Sequence, residues 1–175
     1  EILGRPDAPV FDKAKACQQL AVVGTRDAVP ALAALLADAQ VAHYARFGLE
    51  PIPDPAVDEA LREATGKLSG RLLAGVINSI GHRKDAKAVD LLSKFLNDAD
   101  AEVAESAAFS LGAIRTPQAA AVLQGALANR SAAVFPAAAV AGLVCAEGLA
   151  ANGRRKEALA LYQKLSGAGM PKPVR

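Results

Sequence analysis

A unit of two amphipathic helices recurs along this chain about every 30 residues, and it constrains the fold more than any other feature. The clearest copy covers residues 85–116. Apolar residues at the i, i+3, i+4, i+7 spacing mark its first helix: Ala88, Val89, Leu92, Phe95 and Leu96. Asn97, Asp98 and Asp100 then interrupt the apolar face, as short polar residues do between two helices. A second apolar face follows in Val103, Ala107, Leu111 and Ile114.

Other segments repeat this unit less closely. The further copies and helices cover, in chain order, residues 12–23, 27–52, 54–84, 117–152 and 155–165, and the first and last of these are single helices without a mate. No helix of such a pair can bury its apolar stripe alone, so the pairs must stack. The sequence therefore predicts an all-α fold, a right-handed α-solenoid of stacked antiparallel helix pairs. We expect one domain over residues 1–175 that is a fragment of a longer array.

The repeats carry a family resemblance. One string of this chain resembles a HEAT repeat of the short type found in phycobilin lyases: AVDLLSKFLNDADAEVAESAAFSLGAI. Repeats of that type have an apolar helix, then the motif Asp-x-Asp-x-x-Val, then an Ala-rich helix that ends in Leu-Gly-x-Ile. Three longer strings of this chain resemble segments of HEAT-repeat proteins from planctomycete and verrucomicrobial bacteria: KACQQLAVVGTRDAVPALAALL, ARFGLEPIPDPAVDEALREA and GVINSIGHRKDAKAV. That group has no settled activity. Resemblance to its exported members favours an extracytoplasmic location, although the residues alone permit the cytoplasm equally.

Composition argues against two classes of partner. The 20 basic and 18 acidic residues leave a formal net charge of only +2, which provides no strong field for nucleic acid or a membrane surface. Aromatic residues make up 4% of the chain and Trp is absent, so there is little to stack on bases. No apolar run in the sequence is long enough to span a membrane. We expect neither a nucleic-acid partner nor membrane insertion.

The residue types that carry catalysis are not arranged for it. His43 and His82 are the only histidines, lie one repeat apart, and begin neither a His-x-x-x-His nor a His-Glu motif. Cys17 and Cys145 fall in opposite terminal helices, so we predict small core residues and no disulfide between them. No Ser combines with a His and an Asp in a recognisable arrangement. The sequence predicts no enzyme, no cofactor and no metal site.

The second helices of the repeats together form a surface. In short HEAT repeats, the positions that Phe47 and Phe109 share usually carry polar residues on the inner face, so aromatic residues there could be anchors for a partner. In the alternative interpretation both wedge between repeats as core, because large apolar side chains are more often inside. The predicted partner-binding residues are His43, Tyr44, Phe47, Asn78, His82, Glu105 and Phe109.

The predicted function is a non-catalytic scaffold or spacer that binds a protein of unknown identity. Resemblance to phycobilin lyases implies an alternative, a tetrapyrrole-handling enzyme subunit, for which only Arg46 and Arg71 lie near the predicted surface to bind carboxylates. A third hypothesis is a nucleic-acid-binding HEAT-like protein. A spectral shift on adding bilin or haem would test the tetrapyrrole hypothesis. Salt-dependent retention on heparin would test the nucleic-acid hypothesis.

Overall fold

A computed structural model describes residues 2–130, 132–167 and 169–171, and all regular secondary structure within them is helical. The α-helices are α1 Val10–Val23, α2 Val29–Ala33, α3 Ala42–Leu49, α4 Pro55–Thr65, α5 Gly70–His82, α6 Val89–Phe95, α7 Ala101–Ile114, α8 Pro117–Ala126, α9 Phe135–Ala151 and α10 Arg155–Leu165. Short 3-10 helices lie at Ile2–Gly4, Arg26–Ala28, Ala34–Ala37 and Ala86–Ala88. The predicted all-α fold built from helical repeats is confirmed.

The helices fall into two compact units, Glu1–Ile80 and Gly81–Arg175. In the first unit, α1 and α2 both pack against α3, and α2 also packs against α4. The short helix Ile2–Gly4 lies against α1 and α2. The largest fully buried side chains of this unit include Leu32, Leu49 and Leu61, which come from both members of the helix pairs. Stacking of successive second helices, α1 on α3, is therefore present in the first unit.

The second unit repeats this arrangement more completely. Its second helices α7 and α9 pack side by side, while α6, α8 and α10 cover them as first helices. Small residues let α7 and α9 approach closely, because a Cβ added at Gly112 would lie 2.7 Å from the Ala141 carbonyl oxygen. Leu111 on α7 and Leu149 on α9 are both buried in this unit. The core of this unit is thus built on near backbone contact between two helices.

Local capping explains where several helices begin. The carboxylate of Asp54 accepts a hydrogen bond from the Ala56 backbone N–H at 2.8 Å, and Pro55 follows at the first helical position. Asp100 caps α7 in the same way, accepting from the Glu102 N–H at 2.9 Å. Of the polar residues predicted to separate α6 and α7, Asp100 is therefore the N-cap, while Asp98 accepts a hydrogen bond from the Asp100 N–H within the turn.

Two helices differ from the expected pattern. The first helix of the copy at residues 27–52 is α-helical only over Val29–Ala33 and continues as the 3-10 helix Ala34–Ala37. Its partner α3 has eight residues and ends at Leu49, two residues before Pro51. A proline has no backbone N–H and therefore cannot continue the helical hydrogen bonds. The first copy is accordingly the most irregular pair.

Glycine substitutions test the close contact between α7 and α9. We expect Gly112→Ala to lower the free energy of unfolding by about 1–3 kcal/mol, because the added methyl group meets the backbone of Ala141 and cannot be accommodated without a helix shift. The measurement is urea unfolding followed by circular dichroism.

Gly125→Ala in α8 is the matched control, since a Cβ there has nothing within 4 Å. It should leave stability unchanged or raise it by up to about 1 kcal/mol through helix propensity. Equal losses in both variants would contradict the close contact as the cause.

Candidate functional site

One face of α3 carries three of the predicted partner-binding residues. Side chains four apart share a helical face, so His43 and Phe47 project together, and both are exposed. Phe47 is 55% exposed, whereas Leu49 on the opposite face is fully buried. The rings of His43 and Tyr44 lie 3.8 Å apart between centroids and are tilted by 40°. These three residues form an aromatic ridge on the first unit, in which His43 and Phe47 are exposed and Tyr44 is half-buried.

Helix α5 extends the exposed surface of the first unit. Asn78 is exposed as predicted, but Ala74, one turn earlier, is buried. The exposed residue on this face is instead Arg71, two turns before Asn78. The i, i+7 spacing of Arg71 and Asn78 was the sequence signal that could have placed Arg71 on this face.

The second unit carries the remaining predicted residues. His82, Glu105 and Phe109 are all exposed, and Phe109 retains 46% of its surface. Glu105 and Phe109 lie one turn apart on α7. That all seven predicted residues share one surface stays a prediction.

Both phenylalanines are therefore outside the core, and the interpretation that they wedge between repeats is wrong. The physical reason is the size of the residues that face the neighbouring helices. Gly48 of α3 lies against Leu32 and the Cys17 carbonyl oxygen, and Ser110 of α7 lies against Gly81. Helices that approach through glycine and serine leave no space between them for an aromatic ring.

A half-buried polar cluster joins α3 to α5 beneath this surface. The Arg46 Nη1 donates a hydrogen bond to the Gly75 carbonyl oxygen at 3.1 Å. Its guanidinium lies flat against Gly75, where an added Cβ would be 2.9 Å from the Arg46 Cζ. Ser79 Oγ, fully buried, donates to Glu50 Oε1 at 2.7 Å. Burial lowers the pKa of Arg46, and the nearby Glu50 carboxylate opposes that change.

Arg46 also borders a small groove in the first unit, which we call the basic groove. It has a volume of about 280 Å³, and its lining residues are Ala39, Ala42, His43, Arg46, Arg71 and Leu72. Three of these six side chains carry basic nitrogen atoms, and none is acidic. The groove connects the aromatic ridge of α3 with the first turn of α5.

The two cysteines are buried free thiols. Burial raises the pKa of Cys17 and raises that of Cys145 to about 11, with the charge of Arg115 acting in the opposite direction on Cys145. A thiol with a raised pKa is a poor nucleophile at neutral pH because little thiolate forms. Among the described residues, no group of three or more His, Cys, Asp and Glu side chains could hold a metal ion. No helix in the described part of the chain has the length and apolarity needed to cross a membrane.

Burial of the Cys145 thiol makes stability depend on pH at the alkaline end. The folded state holds this proton more tightly than the unfolded chain, so the contribution is complete below pH 9.0 and disappears as the pH approaches about 11. We expect the free energy of unfolding to fall by up to about 2–3 kcal/mol over this interval. Urea unfolding at a series of pH values measures the fall.

Cys145→Ala is the control for this effect. It removes the titrating thiol and leaves a small apolar side chain at this buried position, so most of the alkaline fall should disappear. A fall of the same size in the variant would show that other groups cause it.

Comparison with known proteins agrees with this architecture. The protein family described as HEAT repeats matches residues 57–144, just over half of the chain. A crystal structure of an engineered protein from the Northeast Structural Genomics Consortium is similar with a TM-score of 0.57 and 20% identity, covering 97% of this chain and 88% of that one. Human deoxyhypusine hydroxylase in complex with glycerol is similar with a TM-score of 0.45 and 18% identity over 97% of this chain and 77% of its own, too weakly to support an inference. A search of curated proteins found no significant match.

Proposed function

Because the chain belongs to the HEAT-repeat family, we propose that it is a non-catalytic scaffold or spacer that binds a protein partner on the exposed faces of its second helices. One observation carries the proposal. Phe47 and Phe109 occupy the same position in two repeats, and both are exposed, by 55% and 46%. A single exposed apolar side chain is common on protein surfaces, but recurrence at one repeat position is a pattern.

Energetics favour these residues as anchors. Fully burying an exposed phenylalanine contributes about 1.5–3 kcal/mol, so covering the half-exposed ring of Phe47 or Phe109 contributes about 1 kcal/mol. A few such residues dominate most interfaces. Phe47 has His43 and Tyr44 beside it, which adds aromatic surface at the same place. The helices that carry Phe47 and Phe109 are fixed by packing, so little conformational entropy is lost on binding.

A non-catalytic role is supported by the state of the reactive groups. The Cys17 and Cys145 thiols are buried and their pKa values are raised. His43 lies against the ring of Tyr44, which offers it no activating carboxylate. We therefore expect the surface to act by shape and by a few side chains.

Repeat length supports the narrower assignment to the short type of HEAT repeat. The two helices α6 and α7 occupy Val89–Phe95 and Ala101–Ile114, with a short acidic turn between them. Asp100 caps the second helix, as the Asp-x-Asp-x-x-Val motif of that type would require. We propose on this basis that the repeats are related to those of phycobilin lyases and of planctomycete HEAT-repeat proteins.

The tetrapyrrole alternative is less well supported. Arg46 and Arg71 do line one groove, but about 280 Å³ is small for a macrocycle, since small-molecule sites usually start at about 300 Å³. Absence of a spectral shift on mixing the protein with bilin or haem would agree with this ranking.

Paired substitutions test the proposed surface. The double variant Phe47→Asp, Phe109→Asp should fold normally, because both side chains are exposed, and should lose the protein that the parent chain captures from an extract of the source organism. Circular dichroism checks the fold, and mass spectrometry identifies the captured protein.

Ile2→Asp, Leu159→Asp is the matched control. These side chains are 44% and 56% exposed, belong one to each unit, and lie on the 3-10 helix Ile2–Gly4 and on the first helix α10, outside the proposed surface. The control should retain the partner. Loss of the partner in the control with retention in the first variant would place binding elsewhere.

A further inference from the structure

We infer that the protein partner presents an acidic side chain to the basic groove, so that the ligand of the first unit is an acidic peptide segment. The inference rests on the proposed function and adds the chemistry of the partner. It depends on three features of the first unit: the charge of the groove, the way in which Arg46 is held, and the position of Phe47.

Charge is the first feature. His43, Arg46 and Arg71 line the groove, and the other lining residues are two alanines and a leucine. Arg71 is exposed and makes no hydrogen bond or ion pair with any residue that the structure describes. The first turn of α5 contains no acidic residue, so the partial positive charge of the helix adds to that of the side chains. A carboxylate complements this site.

The second feature is the preorganisation of Arg46. Its hydrogen bond to the Gly75 carbonyl oxygen holds the guanidinium of Arg46, on α3, against α5. Glycine at position 75 makes this possible, since a Cβ would collide with the guanidinium. Burial lowers the pKa of Arg46, which means that the cation is partly desolvated. An anion in the groove would offset that desolvation, and arginine suits a carboxylate through its planar set of donors.

Glu50 is the charge that competes with such a ligand. It lies one turn after Arg46 and interacts with it electrostatically. However, Glu50 accepts a hydrogen bond from the buried Ser79 hydroxyl, so part of its acceptor capacity is already used. Glu50 does not line the groove. Arg46 lines the groove together with His43 and Arg71.

The third feature is the neighbourhood of the groove. Its volume of about 280 Å³ suits a carboxylate on a side chain better than a large cofactor. Phe47 is exposed one turn after His43, so an apolar residue next to the acid would find an aromatic surface. A free anion would use only the groove, whereas a peptide would use both. The pairing of charge with an adjacent aromatic residue thus favours an acidic peptide.

Selection of short random peptides displayed on phage against the full chain tests the inference. The recovered peptides should be enriched in aspartate or glutamate next to an aromatic or aliphatic residue. A labelled synthetic peptide from this set should bind by fluorescence anisotropy about tenfold or more tightly than the same peptide with its acids replaced by the corresponding amides. Recovery of peptides without acidic enrichment would overturn the inference.

Two charge reversals locate the site. Arg71→Glu should weaken the acidic peptide at least about tenfold, while Lys15→Glu, an equal change of charge at an exposed position on α1, should have little effect. Arg71→Lys should lie between Arg71→Glu and the parent, because it keeps the charge but loses the planar donors. Equal weakening by Arg71→Glu and Lys15→Glu would overturn the groove as the site.

Competition distinguishes a peptide from a free anion. Acetate or phosphate should displace the peptide only weakly, since neither reaches Phe47. If acetate or phosphate competes fully and Phe47→Asp leaves peptide binding unchanged, the groove binds small anions and the peptide inference fails. If capture of the partner depends on Phe47 but not on Arg71, only this inference fails and the proposed function stands.

Discussion

Close approach of neighbouring second helices is the constraint on which the rest of each unit depends. In the first unit, a Cβ at Gly48 of α3 would lie 2.9 Å from the Cys17 carbonyl oxygen of α1. In the second unit, Gly112 of α7 meets the Ala141 backbone of α9 in the same manner. Helices at this distance bury their backbones against each other, so larger side chains must project above or below the contact. The exposed faces of the second helices therefore result from the packing.

Much of the fold can be predicted from the sequence, because the signals that position the helices lie within a few residues of one another. Asp54 and Asp100 cap helices by contacts to residues two positions away, so their roles follow from the sequence alone. The terminal helix α10 begins and ends at the residues that the apolar spacing indicates. The continuation of α2 as a 3-10 helix was not readable, because alanine and leucine are compatible with either geometry.

The candidate site can be predicted from the sequence only in part, because the exposure of a side chain depends on whether another helix packs over it. Periodicity placed His43 and Phe47 on one face, but it could not show whether a neighbouring helix covers that face. The sequence predicts Arg71 near this surface, and its i, i+7 spacing from Asn78 accounts for the exposure of both residues on α5. The contact between Arg46 and Gly75 joins residues of different repeats. No pattern within one helix contains that information.

Positions at the close glycine contacts and positions on the exposed faces differ in how well they tolerate substitution during evolution. Every replacement of Gly48 or Gly112 adds atoms where backbone atoms of the next helix already lie. Such positions tolerate substitution poorly, because even the methyl group of alanine meets backbone atoms of the next helix. Exposed positions such as Phe47 and Phe109 carry no such restriction. Copies of one duplicated repeat could therefore acquire different binding partners while the packing beneath them stayed the same.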